Sequence, residues 1–185
     1  MKTWGASWRS GELGMNWHRI KNRVIARIIT SVPFLADRFI RSYAPWESGD
    51  TPWTDFTKPL SECTLALVTT AGVHHRDQIP FDMNDAEGDP TFRMIDLSRP
   101  ADSLMITHDY YDHKDADRDI NIIFPAERLR EFVAERRIGA LAGRAYSLMG
   151  HITGRHMATL VSRTAPAIAA AMRRDRVDAV LVTPG

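Results

Sequence analysis

The sequence contains very little cysteine. Cys63 is the single cysteine among 185 residues, which excludes an internal disulfide, a CxxC redox pair and a zinc site built from several thiolates. No neighbouring base would activate this thiol, so we expect a buried and unreactive side chain. This cysteine usage is typical of a protein from a reducing cytoplasm.

Long apolar runs and phosphate-binding motifs are also missing. No uninterrupted apolar stretch approaches the ~18 residues of a membrane span, and the opening sequence MKTWGASWRS lacks the apolar core of a secretory signal. Neither GxGxxG nor GxxxxGK[ST] occurs. The sequence therefore predicts a cytoplasmic protein with no transmembrane segment and no nucleic-acid partner.

The composition that is present, with 44% hydrophobic and 25% charged residues, is typical of a folded globular protein. Residues 1–45 carry eight Lys and Arg against two Asp and Glu, and apolar residues between 17 and 40 recur at helical spacing. We predict a basic amphipathic helical segment over 1–45, kinked or divided at Pro33. It is expected to dock on its own domain or a partner, which is commoner for such a helix than binding an acidic membrane surface or nucleic acid.

Residues 46–185 have the pattern of an α/β domain. Short apolar, β-branched runs predict strands at 64–70, 104–107, 138–142 and 177–183, and helical spacing predicts helices after Pro125 and over 154–174, the latter kinked or divided near Pro166. The polar region 71–100 is predicted to be loop. We expect a three-layer, mostly parallel, Rossmann-like sheet that is incomplete at the C-terminus, since no covering helix follows the last strand.

Histidines and acidic residues are concentrated after two of the predicted strands. His74 and His75 follow the first, and His108 and His113 follow the second, together with Asp112 and other aspartates. Carboxylates can fix a histidine tautomer and bring its pKa near working pH, so this composition favours proton transfer. The alternative is a solvated acidic loop whose aspartates cap turns.

Metal binding is a second interpretation of the same residues. His108, Asp112 and His113 are suitable ligand types, but their spacing matches no zinc motif. Residues 82–89 resemble a calcium loop, yet counting from Asp82 the glycine falls one position late and Arg93 stands where a glutamate is required. We therefore predict turns over 82–89 and no metal.

Four segments, in this order, carry a resemblance to a known family. They read KPLSECTLALVTTAGVHHRDQIPFDMNDAEGDPTFRMI, MITHDYYDHKDADRDINIIFPAERL, GRAYSLMGHI and VDAVLVTPG. Together they resemble the glycine/sarcosine/betaine reductase selenoprotein B family, which includes the related D-proline reductase subunit. The resemblance runs from about Trp46 to Gly185.

The resemblance implies a selenocysteine or cysteine shortly after the last strand, and therefore just after Gly185 in a full-length product. Our hypothesis is that a UGA codon read through by the cell follows the Gly185 codon. A genuine truncation and a fragment are the alternatives, and the nucleotide sequence beyond that codon distinguishes them. No other bound cofactor is expected.

The family chemistry implied by the resemblance is reductive cleavage of a C–N bond in a small amine or amino acid. His108 or His113 would protonate the leaving amine, and Asp112 would orient the imidazole. The substrate-binding residues we expect are His74, Asp117, Arg118, Asn121, Thr183 and Gly185.

The chain is expected to be the substrate-side subunit and to be inactive alone. The resemblance implies a selenoprotein A-like partner and, for some substrates, a pyruvoyl subunit. Two alternatives stay open. One is a non-catalytic binding or assembly fragment, and the other is a metal-dependent hydrolase built on the His108 loop.

Overall fold

The computed structural model describes residues 17–31 and 53–185. Its helices are α1 (Trp17–Ser31), α2 (Ala126–Ala134) and a continuous helix made of α3 (Arg155–Thr159), a π-helical segment (Leu160–Thr164) and α4 (Ala165–Arg174). Its strands are β1 (Thr64–Thr69), β2 (Val73–His75), β3 (Arg93–Asp96), β4 (Leu104–Ile106), β5 (Ala140–Leu141), β6 (Arg144–Ser147) and β7 (Ala179–Thr183). The predicted break at Pro33 lies outside the described residues.

Five strands form a mixed, mostly parallel sheet with β1 at its centre. β7 runs parallel along one side of β1, and β5 and β6 run parallel along the other, beside its start and its end. The continuous apolar sequence of β1 suits this position, because a central parallel strand is covered on both faces. The α/β class and the mostly parallel sheet are confirmed. β3 lies in the region 71–100 that was predicted to be loop, and it runs antiparallel to β6.

The two faces of the sheet pack against different helices. Leu65 and Leu67 of β1 belong to a core shared with Leu129 of α2, whereas Ala66 of β1 packs in a second cluster with Ile168 of α4. This alternation along β1 follows from the twofold side-chain period of a strand. The three-layer, Rossmann-like arrangement and the division at residue 45 stay predictions.

The strand predicted at 104–107 exists, but its expected place in the main sheet is wrong. β4 pairs antiparallel with β2 in a separate two-stranded sheet. The expectation that His74 and His75 lie in a loop is also wrong, because both lie in β2. Gly72 lies between β1 and β2 with a φ of +70°, a backbone conformation that favours glycine, and Val73 directly after it belongs to the same core as Leu67.

α1 docks on its own domain, as expected, but through its polar face. Arg19 and Arg23 form ion pairs with Asp109. The apolar residues expected to be buried face outward: Ile20, Val24, Ile25 and Ile28 are all at least 38% exposed. No helix within residues 17–31 and 53–185 is long and apolar enough to cross a membrane.

Pro166 lies near the start of α4, directly after the π-helical segment. Proline has no backbone N–H to donate and its ring clashes with the preceding turn, so a regular α-helix cannot continue through it. The helix accommodates the proline by widening over Leu160–Thr164, where the Ala165 N–H donates to the Leu160 carbonyl. The helix is therefore not divided at Pro166; a π-helical segment just before the proline interrupts the regular α-helix instead.

Candidate functional site

The carboxyl ends of β1, β6 and β7 meet at one edge of the main sheet because the three strands are parallel. The turns that follow them are in contact. Gly72 N–H donates to the Leu148 carbonyl at 2.9 Å, and Gly185 N–H donates to Thr70 Oγ1 at 3.2 Å. A Cβ atom on Gly185 would lie 2.5 Å from the Cα atom of Ala71. This edge is where ligand crevices of parallel α/β sheets form.

His108 reaches this edge although β4 belongs to the smaller sheet. Thr107 N–H donates to the Gly72 carbonyl at 2.9 Å, and a Cβ atom on Gly72 would lie 3.3 Å from the Cβ atom of His108. The Tyr111 hydroxyl donates to the Ala71 carbonyl at 3.1 Å. The segment after β4 and Gly185 therefore both contact the Ala71–Gly72 turn.

The imidazole of His108 is buried, with 6% exposure, and lies against the rings of Tyr110 and Tyr111. Tyr110 N–H donates to His108 Nδ1 at 3.1 Å, so Nδ1 carries no proton. Burial lowers the pKa of His108 to about 4, although a backbone hydrogen bond with Met149 opposes part of this effect. At neutral pH the ring is therefore uncharged. A neutral, buried imidazole is suited to a structural role and poorly suited to act as a general acid.

His113 has the features of a proton-transfer group. Its Nδ1 lies 2.8 Å from Asp117 Oδ2, and Asp117 N–H donates to the His113 carbonyl at 2.8 Å, which closes a single turn between them. The His113 side chain is 26% exposed. Asp112, expected to orient an imidazole, instead contacts Lys114, with 3.3 Å between Lys114 Nζ and Asp112 Oδ2.

Three residues predicted to bind substrate already have internal partners. His74 is fully buried in β2, where its Nδ1 donates to the His75 carbonyl and its Nε2 lies 2.8 Å from Thr107 Oγ1. Asn121 Oδ1 accepts from Glu127 N–H at the start of α2, and Thr183 Oγ1 donates to the Ile123 carbonyl at 2.7 Å. These contacts join β2, α2 and β7 to the loops around the carboxyl edge of the sheet.

Asp117 and Arg118 lie on a more open surface. They line a cleft of about 410 Å³ together with Arg76 and Met105. The Arg118 side chain is 80% exposed and its Nη1 lies 3.2 Å from Asp115 Oδ1. An exposed ion pair of this kind contributes little stability, so the guanidinium can exchange its partner for another carboxylate.

Sequence reasoning missed the aromatic layer over His108. The rings of Tyr110 and His151 stack with centroids 3.9 Å apart, and the Tyr111 ring contacts that of His113. Burial raises the pKa of the Tyr111 hydroxyl, which therefore stays a hydrogen-bond donor. The adjacent Tyr110 and Tyr111 are visible in the sequence, but the stacking of Tyr110 on His151 is a long-range contact.

The residues of the His108 loop do not form the metal site that a hydrolase would need. Among the described residues, the His, Cys, Asp and Glu side chains close enough to share an ion are Asp85, Glu87 and His156. Arg155 forms ion pairs with both of these carboxylates and so supplies the positive charge there. The turns predicted over 82–89 are confirmed around these residues.

Comparison with known proteins identifies several relatives. A family model described as glycine/sarcosine/betaine reductase selenoprotein B matches residues 37–185. The D-proline reductase subunit gamma of Acetoanaerobium sticklandii is 38% identical over 133 residues, which are 72% of this chain and 53% of that protein. The glycine reductase complex component B subunit gamma of Carboxydothermus hydrogenoformans is 32% identical over 130 residues, 68% of this chain and 29% of that protein.

A betaine reductase complex component B subunit beta from Peptoclostridium acidaminophilum is also 32% identical, over 68% of this chain and 29% of its own length. The chain thus spans about half the length of the first of these relatives and under a third of the other two. No solved structure matches. Because the family model covers most of the sequence, including β1, the 108–113 segment and β7, the chain belongs to the glycine/sarcosine/betaine reductase selenoprotein B family.

Proposed function

We propose that this chain forms the substrate side of a reductase that cleaves a C–N bond in a small amine or amino acid and releases an amine. One observation carries the proposal beyond family membership. The histidine-bearing segment 108–113 and Gly185 contact the same turn, Ala71–Gly72, at the carboxyl edge of the sheet. A residue placed directly after Gly185 would therefore begin beside this segment.

The nucleophile of the proposed reaction is a selenolate or thiolate that we assign to the position after Gly185. The hydrogen bond from Gly185 to Thr70 and the close approach to Ala71 hold the backbone leading to that position. Cys63 cannot substitute for it, because its side chain is fully buried and precedes β1, at the opposite edge of the sheet.

Proton delivery to the leaving amine is assigned to His113. With Nδ1–H donating to Asp117, Nε2 is the atom that carries and releases the proton. His108 serves instead as a neutral, buried group that packs the tyrosines in place, and Asp112 has no contact with either imidazole that would orient it. We keep Asp117, Arg118 and Gly185 on the substrate side and assign His74, Asn121 and Thr183 positioning roles.

The chemical partners follow from the family. The names of two relatives describe components of glycine and betaine reductase complexes, and we propose that this chain also works in a multi-component complex, beside selenoprotein A-like and pyruvoyl subunits. A role in assembly alone is the second candidate. It is favoured by exposed apolar residues on two elements, Val180 and Val182 on β7 and Ile20 and Val24 on α1.

A ligand titration tests the substrate role. Glycine, sarcosine, betaine and D-proline are added separately to the full chain, and the imidazole signals of His113 are followed by NMR. We expect at least one compound to shift these signals saturably, and Asp117→Asn to weaken that binding about tenfold, because it removes a charge-assisted hydrogen bond.

Glu135→Gln is the matched control, since it removes a carboxylate from an exposed ion pair with Arg137 at the far end of α2. It should leave binding unchanged. If none of the four compounds perturbs His113, or if Asp117→Asn binds as tightly as the control, the proposed substrate site is contradicted and the assembly role is preferred.

A further inference from the structure

Asp109 is a buried carboxylate inside the candidate site. It follows His108 directly, and its side chain is only 1% exposed. Two arginines from α1 hold it: Arg19 Nε lies 2.5 Å from Oδ2 and Arg23 Nε lies 2.7 Å from Oδ1. Arg19 Nη2 adds a contact to Oδ1 at 3.4 Å. Both carboxylate oxygens therefore have guanidinium partners that come from a segment about ninety residues away.

Further contacts of α1 extend this arrangement along the loop. Asn22, one helical turn after Arg19, faces the Tyr110 hydroxyl, and the charge of Arg27 acts on Asp112. Positions 19, 22, 23 and 27 share one face of a helix. That polar face is turned toward the 109–112 segment, which explains why the apolar residues of α1 point outward.

α1 lies outside the region that the family model matches, since residues 17–31 precede residue 37. Asp109, by contrast, lies within the matched region. We propose that α1 is a positioning element added to the family domain, in which Arg19 and Arg23 hold the Asp109 carboxylate and thereby fix the His108–Tyr111 backbone at the site. The proposal rests on the proposed function only for the assignment of this segment to the substrate site.

The physical basis is the cost of a buried charge. An ionised carboxylate removed from water is strongly unfavourable unless it is paired and hydrogen-bonded. Burial alone would raise the pKa of Asp109, but the hydrogen bonds from Arg19 and Arg23 outweigh it and hold the pKa below its usual value. Without the arginines, the carboxylate either takes up a proton or is hydrated by opening of the segment, and opening would break the bond from the Tyr110 N–H to His108.

Hydrogen exchange on the full chain tests the proposal. In the double variant Arg19→Gln/Arg23→Gln, amides of the 108–113 segment should exchange at least about tenfold faster than in wild type, while amides of β1 keep their protection. Lys21→Gln is the matched control, because Lys21 is an exposed cation on the same helix. It should exchange as wild type does.

A third variant separates charge compensation from a general loss of helix packing. Adding Asp109→Asn to the double variant removes the charge that needs compensation, and it should restore most of the lost protection. His108 provides a second readout. The pKa of His108, about 4 in the wild type, should rise in the double variant. An Asp109 without its arginines favours the imidazolium, and opening of the segment hydrates the imidazole. Other groups that face this ring are Tyr110, Tyr111, His113 and His151.

Equal exchange in the double variant and in Lys21→Gln would overturn the proposal, and so would uniform acceleration across the whole chain. These measurements use no substrate. If the four test compounds fail to bind while the exchange result is as expected, the proposed function fails and the positioning role of Arg19 and Arg23 stands. If binding occurs and exchange is unaffected, the positioning role of Arg19 and Arg23 fails and the proposed function stands.

Discussion

Replacing Gly72 with alanine should lower the free energy of unfolding by about 2–5 kcal/mol, because the variant combines backbone strain with a steric clash. Gly72 has a φ of +70°, and the added Cβ atom would lie 2.4 Å from the Thr107 carbonyl oxygen. The backbone cannot retreat freely. Gly72 N–H is bonded to Leu148 and its carbonyl to Thr107, so a shift breaks the contact between the two turns that carry the site.

Gly143→Ala is the control for this prediction. A Cβ atom on Gly143 would meet nothing within 4 Å, and its unfolding free energy should change by no more than about 0.5 kcal/mol. Urea denaturation of both variants makes the comparison. Similar stabilities for the two variants would mean that the 107–108 backbone does not approach Gly72 closely.

Acidification should destabilise the protein through His108. Its pKa is lowered from 6.5 to about 4 in the folded state, so between these two values the unfolded chain binds a proton that the folded chain does not. Stability is therefore intact above about pH 6.5 and is lost as the pH falls toward about 4, with a total loss of about 3 kcal/mol from this group. Below that pH both states are protonated and the loss stops growing.

The variant His108→Gln isolates this contribution. Glutamine can accept the Tyr110 N–H bond but does not titrate. Burial also lowers the pKa values of His74 and His75, and their effect is common to both proteins. Urea unfolding at a series of pH values should show wild type losing about 3 kcal/mol more than the variant between pH 6.5 and pH 4. If wild type and His108→Gln lose the same unfolding free energy between pH 6.5 and pH 4, His108 is not buried as a neutral ring.

The elements that the sequence predicts well are those set by local pattern. β1 and β7 are continuous apolar runs, and the helix after Pro125 begins where a proline favours a first turn. β2 was not predictable in this way. His74 and His75 are polar, and their burial depends on Thr107, Ser103 and Asp96, which are distant in the chain.

The same distinction separates the site residues. His113 and Asp117 are four positions apart, and a single turn brings their side chains together, so this pair was within reach of sequence reasoning. The contacts of Asp109 with Arg19 and Arg23 were not, because no local period links residues from α1 to a loop after β4. The orientation of α1 differs from the prediction for the same reason. Amphipathicity predicts which face of a helix is apolar, but the ion pairs with Asp109 determine which face contacts the domain.

The proposed reaction requires the residue after Gly185 to face the 108–113 segment. A cysteine appended directly after Gly185 and labelled with a nitroxide tests this contact, and the buried Cys63 does not compete for the label. We expect strong paramagnetic broadening of the His108, Tyr111 and His113 ring signals and weaker broadening of the Thr64 amide at the opposite end of β1. Stronger broadening at Thr64 than at the three rings would contradict it.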